Sequence, residues 1–450
     1  MRLFRELRGR WRGTLIYKYL DQFTPNAQLF LLSTIIGGVT FSSFQLFFNI
    51  FLRSRGYDLD FIGLLNAIPS GAALVVGVPM GIISDRLGRR RAMLIGLTVA
   101  TLAAWALVAT EAQGLMVLMS AVTGVANSLY FLSMAPFMMR ASREKERTLL
   151  FSLNFGLMTI SGSVGNLLAG QLPAWFARGL GVGAESPEAY QAVLVASILA
   201  GGLALIPVYF IRDARWAGLR PDPAIGREDF RKLFRPAVLK LAAPNVIIGF
   251  GAATLIPYLN LFFKDKFHIG DNQLGLLFSL AATLTGFATV VGPRLAEKLG
   301  SKVKAVVFTQ GGSLLFLLVM GFVPIYWIAG LAFLVRGALM NMSNPLYSAF
   351  AMENTPERER GAVNSVMQLM WEVGWTVGPY LSGVVQARWG FTPLFISTTV
   401  LYSLAIAFTW LFFRHAETQP AVAPVLEPTD LPLADELGLP SVEKQMAQTE

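Results

Sequence analysis

The 450-residue chain contains no cysteine, which excludes disulfides, thiolate metal sites and cysteine nucleophiles. Histidine is nearly as scarce: His268 and His415 are the only two, and both fall in or beside expected loops. A histidine metal centre or a buried catalytic triad therefore has no material here, and we expect no metal, no cofactor and no enzyme. No stretch has the form G-x-x-x-x-G-K-[ST], which argues against direct use of ATP. Charge is thin as well, at 14% of residues against about 25% in an ordinary soluble domain. The first 28 residues are basic and lack a compact apolar core, so they do not read as a removable signal peptide.

Hydrophobic residues make up 54% of the chain, and apolar stretches of about 20 residues recur along it, each able to span a bilayer as a helix. The expected spans are 29–51, 61–83, 92–110, 114–139, 148–170, 190–211, 239–263, 273–295, 303–323, 326–350, 361–385 and 391–413. Twelve spans put both termini on one side of the membrane. With helix-end residues counted in the adjoining connection, that side carries 30 lysines and arginines and the other side 6. This bias makes the terminal side cytoplasmic and the membrane the plasma membrane. The net charge of +9 then reports orientation, not nucleic-acid binding. Residues 1–28 read as a basic amphipathic surface segment, and 212–238 as a cytoplasmic central loop with an amphipathic run around Phe230–Phe234. The proline- and acid-rich residues 414–450 read as a disordered cytoplasmic tail.

The chain also repeats itself. Asp85–Arg90 (DRLGRR) returns as Glu297–Lys302 (EKLGSK), Met139–Arg147 as Met352–Arg360, and Ser161–Gly170 as Gly374–Gly383. Offsets of 212 to 213 residues relate all three pairs, so 29–211 and 239–413 are two copies of one six-helix unit.

Twelve spans in two halves, with Gly81-x-x-x-Asp85-Arg86-x-Gly88-Arg89-Arg90 after the second, resemble the major facilitator superfamily. The resemblance implies an all-α membrane fold of two pseudo-symmetric six-helix bundles. It also implies transport of a small molecule by alternating access. Gly81 and Gly88 permit close backbone approach and a tight turn, and Asp85 can accept hydrogen bonds from a neighbouring arginine or a facing helix N-terminus. The resemblance gives Asp85, Arg86, Arg89 and Arg90 the role of a cytoplasmic latch, with Glu297, Lys298 and Gly300 as a weaker second copy. Gly374, Gly378, Pro379 and Gly383 line one face of helix eleven around a proline kink, and their counterparts are Gly162, Gly165 and Gly170. Such faces serve close helix packing or a hinge. A Gly-Pro motif in the fifth helix is typical of drug antiporters in this family, but Asn166 stands where that proline would be.

Two ionisable residues lie about 15 Å deep by helical rise: Arg336 in helix ten and Glu372 in helix eleven. Each needs a partner or a wet cavity at that depth, and the simplest expectation is that they meet. Glu372 could then be a proton carrier, with Arg336 binding an anionic group, or the two could be a structural ion pair. The resemblance implies that helices one, four, seven and ten line the central cavity. Their polar residues Gln45, Asn49, Asn127, Asn245 and Asn260, with Asn341 and Asn344, are cavity candidates, as are Tyr258, Gln368, Trp371 and Trp375 nearby. The expected function is secondary active transport of a small, mainly apolar or amphipathic solute, driven by protons and directed outward, by a monomer. The alternatives are a facilitator or importer without proton coupling and a non-transporting receptor or scaffold.

Overall fold

The computed structural model describes residues 23–212, 235–356 and 359–416. The expected amphipathic segments in 1–22 and 213–234 and the tail from 417 lie outside the described residues. Among them are fifteen α-helices and one 3-10 turn, with no strand. The first half holds α1 (Pro25–Ser54), α2 (Leu59–Leu87), α3 (Arg89–Ala109), α4 (Gln113–Ala141), α5 (Glu144–Ala169), α6 (Leu172–Leu180), α7 (Pro187–Gly202) and α8 (Leu205–Phe210). The second holds α9 (Pro236–Leu255), α10 (Leu259–Phe267), α11 (Asp271–Leu299), α12 (Lys302–Phe322), α13 (Tyr326–Glu353), α14 (Arg360–Trp389) and α15 (Thr392–Phe413).

Local sequence explains several of these boundaries. Thr24 caps α1 by accepting from the Ala27 N–H at 3.3 Å, with Pro25 at the first helical position. Ser186 and Pro187 start α7 in the same way, and Ser301 caps α12 through the Lys304 N–H at 3.0 Å. A side-chain oxygen satisfies an orphan N–H, and proline loses no bond there. Gly88 and Gly300 end the matched helices α2 and α11 with φ of +84° and +64°, a backbone region open to glycine.

The expected spans reappear with two interruptions. The sixth is divided into α7 and α8 at Leu203–Ala204. The seventh is broken between α9 and α10 at Ile256–Tyr258, where Pro257 cannot continue the helical bonding. The short α6 was not among the expected spans. It buries Pro173 and Ala177 and leaves Trp175 exposed, as suits a helix lying at a membrane interface. Among the described residues, nine segments are long and apolar enough to cross a membrane by length and composition alone. The helices α5, α13 and α14 are long enough as well, at 26, 28 and 30 residues, and complete two bundles of six crossings.

In the first half α1 packs on α5 and α7, and α4 on α2 and α3. In the second, α9 packs on α14 and α15, α12 on α13 and α15, and α11 on α13. The halves meet mainly through two pairs, α2 with α14 and α5 with α11, which exchange under the internal duplication, and more narrowly through α10 with α1. The described ends at Phe23 and Ala416 and the Gly88 and Gly300 turns share one face, called here the basic face. The apolar core is divided unevenly between the faces. One cluster runs from Phe47 and Phe51 through Tyr190 to Phe262, Phe263, Phe333 and Phe395, joining both halves at the opposite face. At the basic face there are two separate clusters, one around Phe30, Met93 and Phe137 and one around Phe350, Val363 and Phe413.

Candidate functional site

At the opposite face, side chains of each half reach into the other. Asn49 Nδ2 in α1 donates to the Pro257 carbonyl at 2.6 Å, the acceptor freed where the seventh span breaks. Asn260 Nδ2 in α10 donates back to the Leu46 carbonyl at 2.8 Å, and Asn66 Nδ2 donates to Asn49 Oδ1 at 2.8 Å. Asn49 and Asn260 are both buried. They are therefore part of the seal and do not line the cavity, contrary to expectation. Tyr258, also buried, donates to the Pro379 carbonyl at 2.7 Å within the second half.

A charged cluster lies beside this seal. Lys264 Nζ in α10 bonds Asp271 Oδ1 at 2.7 Å, the Tyr190 hydroxyl at 2.8 Å and Glu185 Oε1 at 2.9 Å. Tyr190 and Glu185 belong to the first half, so the cation of one half is held by the other. The Lys264 and Asp271 side chains are 14% and 8% exposed, which strengthens their attraction relative to a surface pair. Asp271 also begins α11, where a negative charge suits the helix N-terminus. Arg53 and Asp265 add a wider pair across the same boundary at 3.7 Å. None of the cluster was singled out from sequence, because Lys264 and Asp271 stand at helix ends and read as loop charges. The run Lys264-Asp265-Lys266, two cations on a side with six, was the one available signal.

Along α2 and α14 the contact between halves stops midway. A Cβ at Gly63 would meet Pro379 and Tyr380, one at Gly71 would meet Thr376, and one at Gly383 would meet Leu59 and Asp60. Gly77 and Gly81, nearer the basic face, would meet nothing within 4 Å. On the other pair, Gly170 approaches Gly275, and Ser163 bonds the Ser279 hydroxyl at 2.9 Å and the Thr283 hydroxyl at 2.7 Å. Beyond them Val75 of α2 and Val290 of α11 are 80% and 74% exposed. The expectation that Gly81 serves close approach is not met in this conformation, because the halves have parted there. Gly162 and Gly165 pack instead on α1 at Ser42 and Val39, while Gly374 and Gly378 pack on α9 at Phe250 and Ala253.

The charge pairs described at the basic face each lie within a single half. Asp85 pairs with Arg89, which also donates to Ser84 Oγ at 2.7 Å. Arg90 donates to the Tyr209 carbonyl at 2.6 Å. In the second half Lys302 pairs with Glu353, and Arg235 with Glu359 at 3.5 Å. Arg86, Glu297, Lys298 and Gly300 are exposed.

Between the seal and the basic face, within the second bundle, lies a cavity of about 220 Å³. Its walls come from α9 (Pro244, Asn245, Ile248), α12 (Gln310), α13 (Asn344, Tyr347, Ser348), α14 (Asn364, Met367, Gln368, Trp371) and α15 (Thr409). Asn245, Asn344, Gln368 and Trp371 were expected here. Gln310, Asn364 and Thr409 were not, since they stand on helices nine, eleven and twelve, outside the four helices that the resemblance gives to the cavity. Trp375 lies 6.2 Å from Trp371, ring to ring. Asn341 donates to the Gly337 carbonyl of its own helix, Asn127 is half-buried and Gln45 exposed.

The two deep charges do not meet. Arg336 is buried and donates to the Tyr402 hydroxyl at 3.0 Å, with its guanidinium 5.7 Å from that ring. Glu372 is half-buried and accepts from Gln368 Nε2 at 3.1 Å. It lies one turn from Thr376, whose hydroxyl donates to the Glu372 carbonyl. It is thus one turn beyond the Thr376–Gly71 contact, toward the basic face. Equal depth had suggested an ion pair, but Arg336 points toward α15 while Glu372 lies on the face of α14 that meets α2.

Two duplicated six-helix bundles, joined at one face and parted at the other around a polar cavity, are the architecture of a membrane transporter. The chain belongs to the Major Facilitator Superfamily, whose family model matches residues 30–248 and 241–442. Among curated relatives, Multidrug resistance protein MdtG of Proteus mirabilis (strain HI4320) is 26% identical over 272 residues, 55% of this chain and 67% of that protein. A putative sugar efflux transporter of Deinococcus radiodurans is 27% identical over 213 residues, 46% of this chain and 52% of that one. Similar solved structures include a bacterial homolog of the human lysosomal transporter Spinster, in an inward-facing and unoccupied conformation. Its TM-score is 0.70 at 14% identity, over 88% of this chain and 97% of that one. The nucleoside transporter NupG gives 0.67 at 14% identity, over 88% of this chain and all of that one.

Proposed function

We propose that the chain is a proton-driven exporter of small amphipathic solutes in the plasma membrane, with the basic face toward the cytoplasm. The carrying observation is the asymmetry between faces: buried cross-half bonds at one, parted halves and an accessible cavity at the other. On this reading the present conformation is inward-open, ready to take a solute from the cytoplasm. The positive-inside bias supports the orientation. The names of the relatives, a multidrug resistance protein and a sugar efflux transporter, favour outward movement.

Glu372 is the proton carrier in this reading. It is a half-buried carboxylate with no cationic partner, next to the cavity and just below the contact between α2 and α14. Protonation lets it enter that contact without the cost of burying a charge. Gln368 supplies the coupling route, since it lines the cavity and also donates to Glu372. A solute that recruits Gln368 competes with the carboxylate for its N–H. Arg336, engaged with Tyr402, stabilises the bundle and has no part in binding an anionic solute.

Reconstitution in liposomes with an imposed pH gradient tests the proposal. Glu372→Gln should lower gradient-driven flux at least about tenfold, the range of a lost proton-transfer group, while solute exchange at equal pH survives. Full gradient-driven flux in that variant would remove Glu372 from the mechanism.

A further inference from the structure

The cavity in the second bundle has a composition that narrows what can fill it. Five of its side chains are carboxamides, Asn245, Gln310, Asn344, Asn364 and Gln368, and no Asp, Glu, Lys, Arg or His lines it. An anion entering would leave its hydration shell without gaining a counter-charge, and a cation would find none nearer than Glu372, which stands behind Gln368. A purely apolar ligand would strand the amides without partners. Each carboxamide offers two donors and an acceptor, and each ligand hydroxyl one donor and two lone pairs, so the two match in number and kind.

The hydrogen-bonding capacity is also free. Asn245, Asn364 and Ser348 bond no other group among the described residues. Gln310 is only 4% exposed, and its Nε2 donates to Ser343 Oγ at 3.1 Å, yet its Oε1 is buried with no partner. An unsatisfied buried carbonyl of this kind calls for a donor that the fold does not supply. Tyr347 and Thr409, in contrast, spend their hydroxyl protons on the Leu241 and Ala405 carbonyls. Trp371, Ile248 and Met367 give the remaining wall an apolar face, against which the C–H face of a saturated ring can lie. The volume of about 220 Å³ falls below the roughly 300–1,000 Å³ of sites that enclose a drug-sized molecule, so it takes one ring and leaves the rest of the solute in the opening between the halves.

We propose that this cavity binds a neutral, hydroxyl-rich ring, the glycosyl-like end of an amphipathic solute, through Gln310, Asn364 and Asn245 with Trp371 as its apolar floor. The proposal rests on the transporter reading only for its consequence, since binding is measurable without flux. It predicts discrimination by hydroxyl groups, because a site built to bond them rejects an analogue without them.

The test uses the full-length protein in nanodiscs, with phenyl β-D-glucoside as probe and quenching of tryptophan fluorescence as readout. 2-Phenoxytetrahydropyran, the same ring without hydroxyls, phenyltrimethylammonium and benzoate are the comparisons. The glucoside should bind saturably and at least about tenfold more tightly than each comparison. Asn364→Ala and Asn245→Ala should each raise its Kd about tenfold, the worth of one well-made hydrogen bond to a buried partner, with the melting temperature of the empty protein unchanged. Equal binding of the analogue without hydroxyls, tighter binding of either ion, or unchanged affinity in both variants would overturn the proposal. Glucoside binding as expected, with no flux of any solute in liposomes, would sustain it and overturn the transporter reading.

Discussion

The two faces of the molecule carry similar kinds of side chain and use them in opposite ways. At the basic face, Asp85 with Arg89, Lys302 with Glu353 and Arg235 with Glu359 are satisfied inside their own halves. At the opposite face, Lys264 of the second half is held by Asp271 of its own half and by Tyr190 and Glu185 of the first, and Tyr190 also donates to Asp271. A charge satisfied within one rigid bundle is indifferent to how the bundles sit. A charge satisfied across them favours one arrangement, and its desolvation makes that preference strong. The faces therefore contribute unequally to the equilibrium between conformations, and the weight lies with the Lys264 cluster.

Removing Lys264 should have the largest effect. Lys264→Met breaks the bonds to Tyr190 and Glu185 across the halves together with the pair to Asp271 inside the second half. Breaking a buried pair costs about 3–5 kcal/mol in all, and the part lost with the cross-half bonds weighs on the closed face. Ser279→Cys, placed within the seal, should then become open to a membrane-impermeant thiol reagent from the opposite face. Adding Asp271→Leu removes the stranded charge and should restore the melting temperature, but not the protection, because the bonds between the halves stay lost. Unchanged protection in the single variant would show that the apolar cluster around Phe47 and Phe263 closes this face unaided.

A bulky residue at the midway contact should act next. In Gly383→Val the new side chain would meet the Leu59 backbone, and overpacking of this sort costs about 1–3 kcal/mol. Reagent access should rise, by less than in Lys264→Met, with a lower melting temperature in nanodiscs. Asp85→Asn should matter least to the present conformation. The Asp85 side chain is 41% exposed and its pair with Arg89 joins neighbouring turns, worth about 0–1 kcal/mol. Melting temperature and reagent access should stay as they are, while turnover falls if Asp85 latches the face when it closes.

The bilayer made most of the fold legible. A spanning helix must be apolar over about 20 residues, and duplication fixed the pairing of halves through the matched glycine turns Gly88 and Gly300. Breaks inside spans were harder to see. Ile256-Pro257-Tyr258 reads as apolar, and a proline in a membrane helix does not always end it. The site was legible in depth but not in direction. Arg336 and Glu372 do lie at similar depth, but depth is one coordinate, and rotation about the helix axis, set by packing, sends one toward Tyr402 and the other toward α2. For the same reason Asn49 and Asn260 were chosen as polar residues in apolar helices and then assigned to a cavity when they close a seal. Gln310 and Asn364 escaped notice because the resemblance gives the cavity to helices one, four, seven and ten, and these two stand on helices nine and eleven.

The most direct measurement is a pair of distances taken in one background. The natural sequence has no cysteine, so spin labels can be placed cleanly at Arg91→Cys with Lys304→Cys on the basic face, and at Glu111→Cys with Arg388→Cys on the other. Between the parent and Lys264→Met, the first distance should shorten as the second lengthens, in the same fraction of molecules. A change in one distance without the other would contradict the exchange of open faces on which the whole mechanism depends.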